Sequence, residues 1–372
     1  MTAPKRARVA ARTCRWLTAA TFACAAAFSI AQSPPASEAA PADAPPSAPA
    51  IDIALVLPLE TPAYARAADA VRAGFQAAAD ASGSSVRTKV FGHGEDGVLN
   101  AFEAAQKAGA RVIVGPLVRD DLKIVAAMAI DLPFTIALNQ FDEAAGPPPT
   151  LYTFPLSVES DARLIARRIR ETPIAPPQTA ASVVVVTADT PLMHRFAAAF
   201  TGEWMGIGGS LPGALRFDGA PETMTAMRRE LARRPPAAVV LAMDGAAATL
   251  AKPYVGTSPA YASALVFERE TLATVRDLDG LIVAEIPWIV TPNAPQFNGL
   301  PRREFPSAAL ARLYALGLDA FRVAAAFRDG VPERFSLDGA TGQITLDGKQ
   351  FAREGRFGVF RDGRLTPLDA PR

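Results

Sequence analysis

The chain has 372 residues, half of them hydrophobic and a fifth charged, with 38 Lys+Arg against 37 Asp+Glu. That length is enough for about two domains. The near-balanced charge leaves no basic excess for gripping a nucleic-acid backbone, and two cysteines with two histidines are too few for a disulfide scaffold.

Residues 1–31 open with Lys5, Arg6, Arg8, Arg12 and Arg15 and continue as an apolar run from Trp16 to Ala31. The run is short for a spanning helix and ends in the small-x-small triplet Ser29-Ile30-Ala31, the pattern of a secretory signal peptide; an uncleaved anchor is the alternative. Cleavage removes five basic residues and both cysteines, Cys14 and Cys24, leaving 33 Lys+Arg against 37 Asp+Glu and a net charge of −4. A further alternative makes Cys24 the lipid-modified first residue of a lipoprotein. Against it, Thr21-Phe22-Ala23 lacks the aliphatic residue usual three before such a cysteine, and the apolar run continues past it. Residues 32–50, QSPPASEAAPADAPPSAPA, have no core-forming residues and read as a semi-extended tether.

From Ile51 strand and helix patterns alternate. IDIALVLPL (51–59) is continuously apolar, as a strand buried on both faces requires. Thr61-Pro62 then opens a helix over 63–81, with Ala67, Ala70, Val71, Gly74 and Phe75 on one face. Strands follow at 86–91, 111–115 and 134–139, with helices at 98–110 and 120–130. This βαβαβαβ run predicts a parallel doubly wound sheet. Residues 151–171 cross over into a helix, and the pattern restarts. The second series has strands at 182–188, 237–243, 263–268 and 280–288, a short strand at 214–217, and helices at 193–208, 221–234 and 246–254. The longest apolar helix spans 307–330, and the tail, 340–348 and 356–368, reads as strands or hairpins with glycine turns. The expected fold class is α/β, with two Rossmann-like lobes, a hinge and a central cleft. Lobe 1 is 51–155 plus 289–350, and lobe 2 is 156–288 plus 351–372.

Four stretches carry a family resemblance: IALVLPL, VIVGPLVRDDL, DLDGLIVAEIPW, and ARLYALGLDAFRVA followed by LDGATGQITLD. They resemble the type 1 periplasmic binding protein superfamily and, within it, the LppC/LpoA family of penicillin-binding protein activators. The resemblance implies two lobes with the chain crossing between them about three times. It also implies a non-enzymatic envelope protein, in the periplasm or lipid-anchored to the outer membrane, that docks on a bifunctional penicillin-binding protein. Family members carry a helical-repeat domain ahead of this fold. Here a Pro-rich tether precedes it, so roles of the repeat domain do not carry over. The other reading is a transport receptor that delivers a small polar ligand to an ABC permease.

The candidate sites are weighed residue by residue. GHGEDG (92–97) has dinucleotide-fingerprint spacing but follows the second strand, and Glu95 and Asp96 would repel a pyrophosphate; a loop is the better reading. His93 and His194 read as ordinary loop or surface histidines. With no cysteine available they do not make a zinc set, and no Gly-x-Ser-x-Gly elbow occurs; no cofactor, metal or catalytic group is expected. Asp120 and Asp121 fit a helix start, where acids meet the dipole, and Asp277 and Asp279 fit a turn. The candidate cleft comprises Gly115, Pro116, Leu117, Asn139, Gln140, Glu285 and Trp288. In amino-acid receptors of the superfamily, hydroxyl residues follow the Gly-Pro turn and hold the ligand carboxylate. Here Leu117, Val118, Arg119 and Asp120 follow it, so the loop keeps the shape without that grip; Arg119 serves an anion or is a solvated helix-end charge. TPNAPQFNGLPRREFP (291–306) is long and lacks periodicity. Its Phe297, Arg302, Arg303 and Phe305 are a candidate docking surface, since arginine and aromatics favour interfaces.

Overall fold

The computed structural model describes residues 50–83, 85–127, 132–142, 146–173, 182–267 and 275–369. The expected leader, Cys24 and the tether up to residue 49 lie outside them.

The first lobe is built on β1 (Ile53–Leu57), whose five side chains are all buried, and α1 (Ala65–Ala81). The chain continues through β2 (Thr88–Gly92), α2 (Val98–Lys107), β3 (Val112–Val114), α3 (Arg119–Ala127), β4 (Phe134–Ala137) and β5 (Leu151–Thr153). These five strands run parallel in the order β2-β1-β3-β4-β5. That is a doubly wound order, with its switch point between β1 and β3, where such sheets place ligands.

The second lobe repeats the plan. It contains α4 (Val158–Glu171), β6 (Val183–Ala188), α5 (Pro191–Gly206), β7 (Gly213–Phe217), α6 (Pro221–Arg233), β8 (Ala238–Ala242), α7 (Gly245–Ala251), β9 (Ala260–Ser263) and β10 (Leu281–Glu285). Its parallel strands are ordered β7-β6-β8-β9-β10. Side-chain oxygens of Ser157, Thr190 and Asp244 cap α4, α5 and α7 by accepting otherwise unpaired N–H groups of the first turn.

After β10, the short α8 (Pro287–Val290) leads back to the first lobe, where α9 (Ala308–Phe327) packs on α1. Two glycines set that crossing. A Cβ on Gly74 would fall 1.9 Å from the Tyr314 carbonyl oxygen, and one on Gly317 2.1 Å from that of Val71. The backbones touch, and Phe75 meets Phe321 edge-on at 5.4 Å beside the contact. Then β11 (Ser336–Asp338), β12 (Gln343–Asp347) and β13 (Gln350–Glu354) form an antiparallel meander joined to β5, while β14 (Arg356–Arg361) and β15 (Arg364–Pro367) add a hairpin to β10.

The chain thus passes between lobes three times: after β5, after β10 and at Gly355. The last passage lies later than expected. β13 extends the first sheet to Glu354, so the return to the second lobe is not at 350. Trp288, expected at the end of the second lobe, belongs to the first lobe's core with Phe297 and Tyr314. The strand expected at 263–268 is instead β9, at 260–263. Ser263 ends it by capping a single 3-10 turn over Ala264–Val266.

Candidate functional site

The strand-end crevice begins at Gly115. Its φ of 120° lies where L side chains rarely go, and a Cβ there would meet the Val56 carbonyl oxygen at 2.2 Å. Glycine is therefore required by the close approach of β3's end to β1. The Gly115–Pro116 peptide is cis. The Pro116 carbonyl accepts from the Leu138 N–H at 2.9 Å, fastening this loop to the end of β4.

The polar groups of the loops after β3 and β4 bond one another. The Asn139 amide donates to the Leu117 carbonyl at 2.8 Å, and its oxygen accepts from the Gln140 N–H at 2.9 Å. The Gln140 amide donates to Glu159 of α4, across the lobes, at 3.3 Å, and its oxygen accepts a 3.4 Å bond from Arg119. Arg119 pairs with Asp142 at 2.9 Å. Gly115, Pro116, Leu117, Asn139 and Gln140 thus come together, with their bonding capacity largely directed inward.

Glu285 is not among them. It was expected to face the cleft but is 1 % exposed, inside the hinge. Arg312 of α9 donates its Nε to both Glu285 oxygens at 3.1 Å and an Nη to one at 2.7 Å, while the Ile286 N–H caps the other at 2.8 Å. The same guanidinium donates to the Ala264 and Phe267 carbonyls. Beside this pair, Asp161 of α4 lies 3.7 Å from Arg353 of β13. Burial pushes the Asp161 carboxyl up from 3.8 to about 6, with Glu285 adding to the rise; Arg353, the Ala264 N–H and Arg312 oppose it. Arg353 also reaches the carbonyls of Pro155, Ser157 and Thr341. Two carboxylates from the second lobe therefore face two arginines from the first, where the chain crosses. Nearby, the fully buried Asp319 of α9 accepts from the Ala340 and Thr341 N–H groups and the Thr341 hydroxyl at 2.7–2.9 Å.

The expected docking surface is only half a surface. Phe297 and Phe305 are 3 % and 9 % exposed and cluster with Trp288 and Tyr314. Their apolar area is already spent on the core, so they offer nothing to a partner. Arg302 and Arg303 are exposed and lie over this cluster, Arg302 at 3.7 Å from the Trp288 ring and Arg303 at 5.3 Å from Phe305.

The histidines divide. His194 sits on the surface, 2.9 Å from Asp189, which Arg216 also holds at 2.7 Å. His93 is buried rather than at the surface, and its Nε2 stands 3.7 Å from Asp121 without a hydrogen bond. Burial holds its pKa below the ordinary range despite Asp121, Asp96 and Glu60. Among the described residues no cluster of three or more His, Cys, Asp or Glu is arranged to hold a metal, and none of their helices is long and apolar enough to cross a membrane.

Arg312, Asp161 and Arg353 escaped the sequence reading. The first two left a signal. Arg312 and Asp319 are buried charges in a helix whose one other charge is Arg322, and Asp161 shares the buried face of α4 with Ala162, Ile165 and Ile169. A charge in such a position demands a buried partner.

The profile of the family described as "LppC putative lipoprotein" matches residues 47–232 and 224–363. The chain belongs to the LppC family. Penicillin-binding protein activator LpoA of Haemophilus influenzae is 25% identical over 314 residues, covering 80% of this chain and 52% of that protein. The chain spans about half the length of the curated relatives it matches. Its fold is shared with the C-domain of Haemophilus influenzae LpoA, described as a regulator of PBP1A, at a TM-score of 0.69 and 23% identity, covering 85% of this chain and 99% of that one. A structure from Chromobacterium violaceum described as a "putative branched-chain amino acid ABC transporter" is 30% identical with a TM-score of 0.71, covering 82% and 99%.

Proposed function

We propose that this LppC-family chain is a non-enzymatic envelope protein that docks on a bifunctional penicillin-binding protein and raises its cross-linking activity. The activator relatives motivate the partner. One observation carries the choice over a transport receptor: Asn139 and Gln140, polar side chains just past the end of β4 in the strand-end crevice, are bonded to their own chain. The hinge is in keeping with it, since the Glu285–Arg312 and Asp161–Arg353 pairs buried where the chain crosses tie the two lobes together. On this reading the lobes form a fixed scaffold, and binding shifts the synthase toward its active conformation through differential affinity. The leader would export the chain to the periplasm, with lipidation at Cys24 as the route to the outer membrane.

The test is a cross-linking assay with a purified bifunctional penicillin-binding protein, with and without an equimolar amount of the chain. The reading expects more cross-linked product and a co-purifying complex. Unchanged cross-linking and no complex would remove it. The likeness to the Chromobacterium violaceum structure favours a second reading, an ABC-transporter substrate-binding protein. That reading requires a small polar ligand, which at 100 times its dissociation constant would stabilise the fold by about 2.7 kcal/mol.

A further inference from the structure

A cavity of about 670 Å³ lies between the chain just after α8 and the β14–β15 turn, and it shares no residue with the loops of the strand-end crevice. Its apolar wall includes Phe267, Trp288 and Ile289. Three guanidinium groups surround that wall: Arg302 and Arg303 from the first lobe and Arg364 from the second. Arg302 lies over the Trp288 ring with its guanidinium carbon 3.7 Å from the centroid, a contact that uses the face of the guanidinium and not its N–H edge. No side-chain ion pair or hydrogen bond joins any of the three to another described residue, and Glu304 is the one acid among the described residues of the lining. Arg119, Arg167, Arg216, Arg312 and Arg353 have carboxylates, while exposed arginines such as Arg66, Arg228 and Arg229 show none among the described residues; what sets these three apart is that they line one cavity.

We infer that this cavity binds an acidic segment of a protein partner, with a carboxylate among Arg302, Arg303 and Arg364 and an adjoining apolar side chain against Trp288. The inference deepens the docking reading above and rests on it for the partner's identity. A bare anion would leave the apolar wall wet, and an apolar group alone would leave three cations unpaired. The volume is that of sites that enclose a ligand of a few side chains' size, and tryptophan beside arginine is the composition of interface hot spots. Because the lining comes from both lobes, an occupant would touch both at once.

The test is isothermal titration of the full chain with a blocked pentapeptide of alternating aspartate and phenylalanine. Controls are the same peptide with asparagine for aspartate, and inorganic phosphate alone. Expected are saturable binding of the acidic peptide that weakens with salt, at least tenfold loss in R303Q/R364Q, and no comparable binding of either control. Arg303 and Arg364 are exposed, so an unchanged melting curve will show the double variant folded. Equal binding of the acidic and amide peptides, undiminished binding by R303Q/R364Q, or phosphate binding as tightly as the peptide would each overturn the inference. The same variant is then assayed for capture of the synthase. If the wild-type chain captures none, the docking reading fails while the titration still judges the cavity. If the variant captures it as well as wild type, the cavity assignment fails while the docking reading stands.

Discussion

The two lobes meet at the hinge and across the crevice, and the two places are built from different materials. At the hinge, Glu285 and Arg312 are almost wholly removed from water and joined by charge-assisted bonds, with Asp161 and Arg353 beside them. Across the crevice, the Gln140 amide reaches Glu159 through a partly exposed bond 3.3 Å long. Buried charges are costly to leave unmatched, whereas a half-exposed amide can return to water. The contrast teaches that interlobe geometry is fixed where the chain crosses, while the crevice mouth adds little and leaves few donors for a ligand.

The sharpest way to break that contrast is Arg312→Met. It leaves the Glu285 carboxylate buried and unpaired, and should cost about 3–5 kcal/mol, read as a lowered urea midpoint. Adding Glu285→Gln should restore much of the loss; a single variant as stable as wild type would show that the hinge pair does not hold the lobes. Next comes pH. The Asp161 pKa rises from 3.8 to about 6 in the folded state, so between those values the native chain binds a proton that the unfolded chain does not. Its contribution to stability therefore increases as pH falls from about 6 toward 4 and is level above about 7. The full span is on the order of 3 kcal/mol, and Asp161→Asn should flatten this part of the profile in urea titrations at pH 4.5 and 7. Gln140→Ala should cost less than about 1 kcal/mol; a larger loss would place real interlobe stability at the crevice. Smallest of all, branched-chain and polar amino acids at millimolar concentration should leave the thermal midpoint unmoved.

Much of this fold was legible because each doubly wound unit wrote its own period. Val-rich runs such as VVVVTA and AAVVLAM marked central strands, and the helix expected at 307–330 opens at its Ser307 cap, whereas the one expected from 193 starts two residues earlier, behind Thr190. What failed was short or unpatterned. β5 and β11 have three residues each, too few to show alternation. β9 is Ala-Tyr-Ala-Ser, buried throughout but lacking β-branched residues, so the stronger propensity of Leu265-Val266 drew the expected strand off by several positions. The candidate site was less legible than the fold. Gly115 declared itself, because a glycine at a strand end signals close backbone approach. Glu285 was singled out for its position, but pattern could not say which way it faced, since its partner Arg312 lies 27 residues on. The aromatics of 291–306 looked like surface because their loop had no period, yet Phe297 and Phe305 fill the space between that loop and Tyr314.

On the proposed function this protein works by touching another protein rather than by closing on a metabolite. The most direct measurement immobilises the full chain, passes detergent-solubilised envelope over it, and identifies what is retained by labelled-penicillin detection and mass spectrometry. The expected result is a bifunctional penicillin-binding protein, retained equally with or without added amino acids. Retention of an ABC permease instead, strengthened by a small metabolite, would contradict it.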